Sequence, residues 1–391
     1  MNSPIEKTSV GTNHIAQFVS LRGLAALWVF VSHALLISEQ KVFILSAGGW
    51  AVDVFVMLSG FVIGLLVLQR AEPYPIYIFR RFARLYPLYL LALLLGFVTS
   101  SYYATVVGSS YFGAAVDDNF FLRDQLIDAH FWQHLLAHLT MLHGAIPDSV
   151  LPLSALAFSG PLWSISLEWQ FYLVAPMLIW LLDYNAPGRW PWVAGALIVV
   201  LLVNWYCKQV WVADVPAFLP LRLPLFALGI LSAHFWRKAH GVAPLHLLVA
   251  AAIIGMALLA TRRWDYVIPL GIWLGVYVAA VLNGRFSLAA PVNRLLSSAP
   301  LTWLGERSYG LYVLHMPVML PIAHYFIMPR AQQLGQAGTF VALCGCLAVT
   351  IAVAAICHRL IEKPTIKWAG QIARRYRSPL AAAPLVRTKT I

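Results

Sequence analysis

The chain has 391 residues, of which 61% are hydrophobic and 11% are charged, and its mean hydropathy is +0.76. This composition leaves too few polar side chains to coat a soluble globule, so it predicts an integral membrane protein. The net charge of +12 is concentrated in the segment RRFARLYP and in the C-terminal tail. That distribution is typical of cytoplasmic sequence flanking a membrane, and it argues against nucleic acid as a partner.

Long apolar runs predict an all-α fold, a polytopic membrane bundle of about ten transmembrane helices, and argue against a barrel of short alternating strands. The predicted spans are 15–37, 48–69, 83–106, 161–182, 190–207, 217–236, 244–260, 266–282, 308–328 and 338–360. With both termini inside, most Lys and Arg residues fall on the cytoplasmic side. We therefore expect a tail over 1–14, one membrane domain over 15–365 and a basic cytoplasmic tail over 366–391.

The first predicted span carries Arg22 and, eleven residues later, His33. A helix rises about 1.5 Å per residue, so an arginine at the membrane edge places this histidine roughly 16 Å deeper, near the middle of the hydrocarbon core. An ionisable side chain at that depth is costly and indicates a functional role. Imidazole supplies a base, an acid or a nucleophile near neutral pH.

Two acidic residues lie inside predicted spans. Asp53, in the outer third of the second span, either orients an imidazole on the neighbouring helix or caps a backbone group. Glu168, near the outer end of the fourth span, has three alternatives: it hydrogen-bonds a sugar hydroxyl, holds His33, or satisfies the bundle interior.

Three arginines, Arg80, Arg81 and Arg84, share one helix face before the third span. Guanidinium groups suit phosphate recognition, although such arginines are also ordinary positive-inside topology markers.

The segment 130–145 is apolar but short, and it carries His130, His134, His138 and His143. Counting it as a span would move the basic tail outside, so we expect an interfacial or re-entrant helix. No Cys, Asp or Glu accompanies these histidines at ligand spacing, which favours a structural role over a metal site.

Aromatic and histidine side chains near the acids are candidate substrate contacts. Trp163 and Tyr172 flank Glu168 and form either an aromatic wall or interfacial anchors. His315, in the ninth span, is either a satisfied structural histidine or a substrate contact. Arg222, within the sixth span, is equally suited to snorkelling, helix pairing and substrate binding.

Six motifs occur in order along the chain. They are Arg-Gly-(x)9-His at 22–33, GWAVDVFVMLSGF at 49–61, RRFARLYP at 80–87, WSISLEWQFY at 163–172, SYGLYVLH at 308–315 and IEKP at 361–364. In these motifs the chain resembles the acyltransferase-3 family of bacterial membrane O-acyltransferases, over about residues 15–365. It departs from the commonest family pattern at Val56, where a second phenylalanine is frequent, and at Trp169, where a second glutamate is frequent. The second departure puts in doubt any mechanism that needs paired carboxylates there.

The resemblance implies transfer of an acyl group, most often acetyl, from cytoplasmic acyl-CoA to a hydroxyl of a glycan or lipid-linked glycan, in the bacterial inner membrane, with no metal. It implies functional roles for Arg22, His33, Arg81 and Arg84. The residues themselves agree, because basic groups on the cytoplasmic side would hold the CoA phosphates while a mid-membrane histidine meets the thioester.

Two mechanisms and two rival functions remain open. His33, oriented by Asp53 or Glu168, either deprotonates the acceptor hydroxyl or carries the acyl group itself. The main rival is a transporter or flippase of a lipid-linked glycan, in which the same residues relay protons. The chain shows neither an inverted repeat nor a matched pair of broken helices, which argues against this rival. A purely structural membrane subunit is the third alternative.

Overall fold

The computed structural model describes residues 15–69, 72–113, 119–183, 188–211, 213, 215–238, 266–282 and 287–376. Within these ranges the chain forms α-helices, short 3₁₀ and π segments, and no strand. The helices are α1 Ala16–Ile37, α2 Gly48–Gln69, α3 Tyr74–Thr99, α4 Asn119–Ala129, α5 Phe131–Leu139, α6 Trp163–Leu181, α7 Trp190–Val210, α8 Leu219–Lys238, α9 Val267–Val281, α10 Ala290–Leu296, α11 Ala299–Glu306, α12 Ser308–Ile322, α13 Ala331–Cys357 and α14 Lys363–Arg375.

Seven helical segments in the described part of the chain are long and apolar enough to cross a membrane. Six of them contain α1, α2, α3, α6, α7 and α8, and the seventh runs from Ser308 to Arg375. The all-α, multi-pass membrane fold predicted from the sequence is therefore confirmed. The predicted span 244–260 lies outside the described residues, and α9 has only 15 residues. The count of ten spans and the inside location of both termini stay predictions.

The helix boundaries differ from the sequence expectation in two places. α3 begins at Tyr74 and ends at Thr99, whereas the predicted span ran from 83 to 106. α3 thus includes the arginine-rich segment, in which Nη1 of Arg80 lies 2.7 Å from Oε1 of Glu72. The last two predicted spans are joined by a π-helix, Ala323–Ile327, and by a 3₁₀ turn, Met328–Arg330. Helical turns therefore occupy most of the loop predicted between these spans, and the break lies at Gly335, whose φ of 66° and ψ of 174° are not helical.

The histidine-rich segment forms a short helix, α5, of nine residues. At about 1.5 Å per residue this helix is far too short to cross a core about 30 Å thick. His134, His138 and His143 are fully buried, and the rings of the last two stack with centroids 3.9 Å apart. The described residues hold no group of three or more His, Cys, Asp or Glu side chains placed to bind a metal ion.

Close contact between α2 and α8 sets the centre of the bundle. A Cβ atom on Gly60 would lie 2.4 Å from the carbonyl oxygen of Phe226, and one on Gly229 would lie 2.2 Å from that of Met57. Only glycine permits so close an approach of two helix backbones. Asp53 on α2 and Arg222 on α8 each lie seven residues before the glycine of their own helix, so the crossing brings these two charges together.

Candidate active site

His33 on α1 meets His315 on α12 in the interior of the bundle. Nδ1 of His33 lies 3.2 Å from Nε2 of His315 and 2.9 Å from the carbonyl oxygen of Val29. Nδ1 of His315 lies 2.5 Å from the carbonyl oxygen of Tyr312. Because a carbonyl oxygen only accepts, both Nδ1 atoms carry the proton when the rings are neutral. Nε2 of His315 then accepts from His33, and Nε2 of His33 keeps its lone pair.

His33 lines a cavity of about 360 Å³, which we call the outer cavity. Other residues in its wall include Ser32, Trp163, Arg222 and Tyr312. The wall thus combines an imidazole, two aromatic side chains and a guanidinium group. This mixture suits an uncharged polar ligand with both hydroxyl groups and apolar faces.

Asp53 forms an ion pair with Arg222, with Oδ1 and Nε 3.0 Å apart. The carboxylate is buried, at 2% exposure, and Arg222 also donates a hydrogen bond to the hydroxyl of Tyr266. Of the three alternatives predicted for Arg222, the structure therefore shows helix pairing. Arg222 is also among the residues that line the outer cavity. The orientation of His33 by Asp53 stays a prediction, because the partners recorded for His33 are Val29 and His315.

A second cavity of about 60 Å³, the inner cavity, is lined by residues including Arg22, Ser59, Arg84, Glu168 and Tyr309. Glu168 accepts hydrogen bonds from Ser59, at 3.3 Å, and from Tyr172. Arg22 lies within range of charge–charge interaction with both Arg84 and Glu168.

The four arginines predicted from the sequence divide into two groups. Arg22 and Arg84 line the inner cavity, and Arg81 is buried beside them, with an Nε atom that has no hydrogen-bond partner. Arg81 interacts electrostatically with Arg84 and Tyr172. Arg80, by contrast, is engaged by Glu72. The structure therefore brings three of the four guanidinium groups to one site.

Glu362 is a site residue that sequence reasoning missed. It ends the π-helix His358–Glu362, is 5% exposed, and lies within charge–charge range of Arg22. Its Oε2 atom lies 3.6 Å from Nδ1 of His358. Glu362 is the second residue of the IEKP motif at 361–364, which supported the family resemblance but assigned no role to this carboxylate. A buried carboxylate next to an arginine group partly offsets the cost of burying the positive charge.

The inner and outer cavities meet at one place. Of the described residues, Val52 on α2 and Tyr312 on α12 line both cavities. His33 is confined to the outer wall and Arg22 to the inner wall. The site therefore consists of two neighbouring chambers, an arginine-rich inner one and a histidine-bearing outer one, and we call the wall formed by Val52 and Tyr312 the partition.

The comparisons with known proteins bear on this geometry. A family model described as an acyltransferase domain matches residues 16–359. The chain belongs to the acyltransferase-3 family. The match covers every helix that contributes to the two cavities, and it confirms the family predicted from the six sequence motifs.

Several relatives carry acyltransferase names. The acyltransferase MdmB of Streptomyces mycarofaciens is 27% identical over 410 residues, covering 95% of each chain. A putative acetyltransferase of Acidianus two-tailed virus is 25% identical, covering 80% of this chain and 86% of its own. A putative O-acetyltransferase of Staphylococcus aureus (strain COL) is 23% identical, and the match covers 88% of this chain but 56% of that relative. No solved structure matches. Family and relatives together make this acyltransferase-3 protein an acyltransferase of the membrane.

Proposed function

We propose that the protein is a bacterial inner-membrane O-acyltransferase. It moves an acyl group, acetyl in the simplest case, from cytoplasmic acyl-CoA to a hydroxyl of a cell-surface glycan or glycolipid, with His33 as general base. The observation that carries the proposal is the pairing of an arginine-rich inner cavity with an outer cavity that holds a histidine whose Nε2 keeps its lone pair. A donor with several phosphates and an acceptor with many hydroxyl groups would each find a matching chamber.

The inner cavity supports acyl-CoA as the donor. Arg22, Arg81 and Arg84 would hold the CoA phosphates, because guanidinium groups form short, charge-assisted hydrogen bonds to phosphate oxygens. The neutral pantetheine arm would then carry the thioester into the cavity. Glu168 stays a candidate catalytic residue, and its hydrogen bonds from Ser59 and Tyr172 support a role in holding Arg22. Arg80 also stays a prediction as a donor contact.

The outer cavity supports a glycan as the acceptor. Trp163 offers an aromatic face of the kind that packs against the C–H groups of a sugar ring, and Arg222 offers hydrogen-bond donors to hydroxyl oxygens. His315 and Tyr172, which the sequence placed with the substrate contacts, line neither cavity: His315 contacts His33, and Tyr172 donates to Glu168 of the inner cavity. We therefore assign acceptor contact to Trp163 and positioning roles to the other two.

The reaction follows from the protonation states of the histidine pair. Nε2 of His33 takes the proton from the acceptor hydroxyl while its oxygen attacks the thioester carbon. The resulting imidazolium is stabilised because His33 Nδ1–H still donates to Nε2 of His315. When the tetrahedral intermediate collapses, the C–S bond breaks and the ester forms. The imidazolium then returns its proton to the departing CoA thiolate, so the base is regenerated.

The proposal is tested with the full-length protein purified in detergent and radiolabelled acetyl-CoA, with water standing in for the acceptor. We expect His33→Ala to lower the rate of CoA release by roughly 10²–10⁴-fold, the usual contribution of a general base. We expect Arg81→Ala to raise the KM for acetyl-CoA more than it lowers kcat. Label found on the wild-type protein and absent from His33→Ala, after rapid denaturation at neutral pH that spares an acid-labile acyl-imidazole, would favour the acyl-histidine route over direct attack.

The matched control is His324→Ala, because this histidine contacts Thr105 outside both cavities, with Nδ1 3.0 Å from Oγ1. It should leave the rate within about twofold of wild type. Normal CoA release by a correctly folded His33→Ala variant would overturn the general-base assignment. Absence of binding and turnover with acetyl-, propionyl- and succinyl-CoA would overturn acyl-CoA as the donor and favour a transport function.

A further inference from the structure

Tyr312 forms much of the partition between the inner and outer cavities. Its side chain is 5% exposed and lines both chambers. Its ring packs edge-on against Phe55, with centroids 5.6 Å apart. Val52, the other residue shared by the two cavities, is purely apolar. Within the described residues, Tyr312 therefore supplies the polar side-chain group common to both chambers.

The Tyr312 hydroxyl lies in a short hydrogen-bond chain. Ser164 Oγ donates to it at 2.7 Å, and the Tyr312 hydroxyl donates to the carbonyl oxygen of Pro161 at 3.1 Å. Ser164 faces the inner cavity and Pro161 faces the outer one. The O–H donor thus lies where the two chambers meet, and it has a single, replaceable carbonyl acceptor.

Tyr312 is also tied to the histidine pair. His315, one turn further along α12, donates from Nδ1 to the backbone carbonyl of Tyr312 at 2.5 Å, and its Nε2 contacts His33. One turn of α12 therefore carries both His315, which contacts the base His33, and Tyr312, whose hydroxyl lies at the partition. His33 is thereby linked through His315 to the helix turn that carries Tyr312.

We infer that Tyr312 is a further catalytic residue, whose O–H binds the carbonyl oxygen of the thioester at the junction of the two cavities and stabilises the oxyanion. The inference rests on the proposed function, since a thioester from the inner chamber and a hydroxyl in the outer chamber must meet at this partition. On donor binding, the Tyr312 O–H exchanges the Pro161 carbonyl for the thioester carbonyl. Ser164 continues to donate to the Tyr312 oxygen, which strengthens the O–H as a donor.

The proton and electron balance of the step is simple. When the acceptor oxygen attacks, the π electrons of the C=O bond move onto the carbonyl oxygen, and the acceptor proton goes to His33. The Tyr312 O–H shortens its hydrogen bond to that oxygen and keeps its own proton. When the C–S bond breaks, the electrons return to form the ester carbonyl and the oxyanion disappears. No external reagent is needed beyond donor and acceptor.

The first test compares Tyr312→Phe with wild type in acetyl-CoA turnover. The substitution keeps the aromatic partition and removes only the hydroxyl, so we expect kcat to fall roughly 10²–10³-fold, as for loss of one oxyanion donor. The dissociation constant for acetyl-CoA should change less than about twofold. Ser164→Ala should lower kcat by a smaller factor. The matched control is Tyr325→Phe, whose hydroxyl pairs with that of Tyr102 away from both cavities.

The second test reads the hydrogen bond directly. In the His33→Ala background, where bound donor is not consumed, the infrared carbonyl band of ¹³C-labelled acetyl-CoA should lie at lower frequency than in water. Adding Tyr312→Phe should move that band back to higher frequency, an effect that a purely structural tyrosine would not produce. An unmoved band, or a folded Tyr312→Phe enzyme with wild-type kcat, would overturn the role of Tyr312. A fully active His33→Ala variant would instead refute the proposed function. The failure of the proposed function and the failure of the role of Tyr312 are therefore seen in different variants.

Discussion

Replacing His315 by phenylalanine isolates the contribution of the group behind the base. Phenylalanine fills most of the buried imidazole volume but cannot accept the hydrogen bond that His33 Nδ1–H donates across 3.2 Å. Nδ1 of His33 is not left without an acceptor, because the carbonyl oxygen of Val29 lies 2.9 Å away. His33 therefore keeps the tautomer that exposes Nε2, and what it loses is stabilisation of its protonated form.

Because His33 keeps its tautomer, the decrease in kcat reflects only the hydrogen bond that His315 no longer accepts. A hydrogen bond to a charged group contributes about 1.5–3 kcal/mol, and about 1.4 kcal/mol corresponds to a tenfold change in rate. The expected decrease in kcat is therefore roughly 10- to 150-fold. It is smaller than the roughly 10⁴-fold loss known where removal of the orienting group also imposes the wrong tautomer. The KM for acetyl-CoA should be nearly unchanged, because His315 faces neither the arginines nor the inner cavity.

The assay is steady-state CoA release by detergent-purified His315→Phe and His315→Gln, with folding checked by thermal unfolding. The glutamine side-chain carbonyl can accept from His33, so His315→Gln should recover part of the lost rate. Two results would refute the reasoning. A wild-type rate in His315→Phe would mean that His315 only fills space in the bundle interior. A loss as large as that of His33→Ala would mean that His315 does chemistry of its own.

Three further predictions concern stability. Arg222→Leu should destabilise the protein by about 3–5 kcal/mol, because it removes the ion pair to the buried carboxylate of Asp53, and pairing it with Asp53→Leu should recover much of the loss in denaturant unfolding. Gly60→Ala should reduce the yield of folded protein, since its Cβ would lie 2.4 Å from a backbone oxygen of α8, whereas Gly195→Ala, with no atom within 4 Å, should not. Burial lowers the pKa of His134 from 6.5 to about 4. The contribution of the neutral imidazole to the stability of α5 should therefore be complete above pH 6.5 and be lost as the pH falls from 6.5 towards 4. Hydrogen exchange of α5 at several pH values checks this prediction, and pH-independent protection would contradict it.

The sequence was sufficient to predict the fold class and most of the helices, for a physical reason. A membrane-spanning helix is specified by a continuous apolar run of fixed length. The positions of these runs in the sequence therefore located α1 and α2 to within one residue. The predicted third span began at 83, because arginines count against a span in any hydropathy argument, although the arginines before it were placed on a helix face. In the structure one helix, α3, contains both, and Arg80 pairs with Glu72.

The candidate site could be predicted only one residue at a time. Depth in the membrane singled out His33, and the charge pattern singled out the arginines, because both signals are local. The contact between His33 and His315 joins residues 282 positions apart, and the partner of Asp53 is 169 positions away. Which helices touch is decided by small residues such as Gly60, whose effect is seen only once two backbones meet. Tyr312 lies in the motif SYGLYVLH, which supported the family resemblance but gave no sign that this side chain lines both cavities.

The division of the site into two chambers has an energetic logic under the proposed function. Carrying the phosphates of CoA across the hydrocarbon core would cost several kcal/mol for each charge, whereas an acetyl thioester is neutral. Arg22 and Arg84 on the inner wall, with Arg81 beside them, would hold the charged part of the donor where it enters, so that only the acyl group needs to pass the partition. A base on the outer side of Tyr312 would then deprotonate a hydroxyl that never enters the arginine chamber. The partition would also slow the approach of water from the outer cavity to the thioester, so that transfer to a bound acceptor would be faster than the hydrolysis measured in its absence.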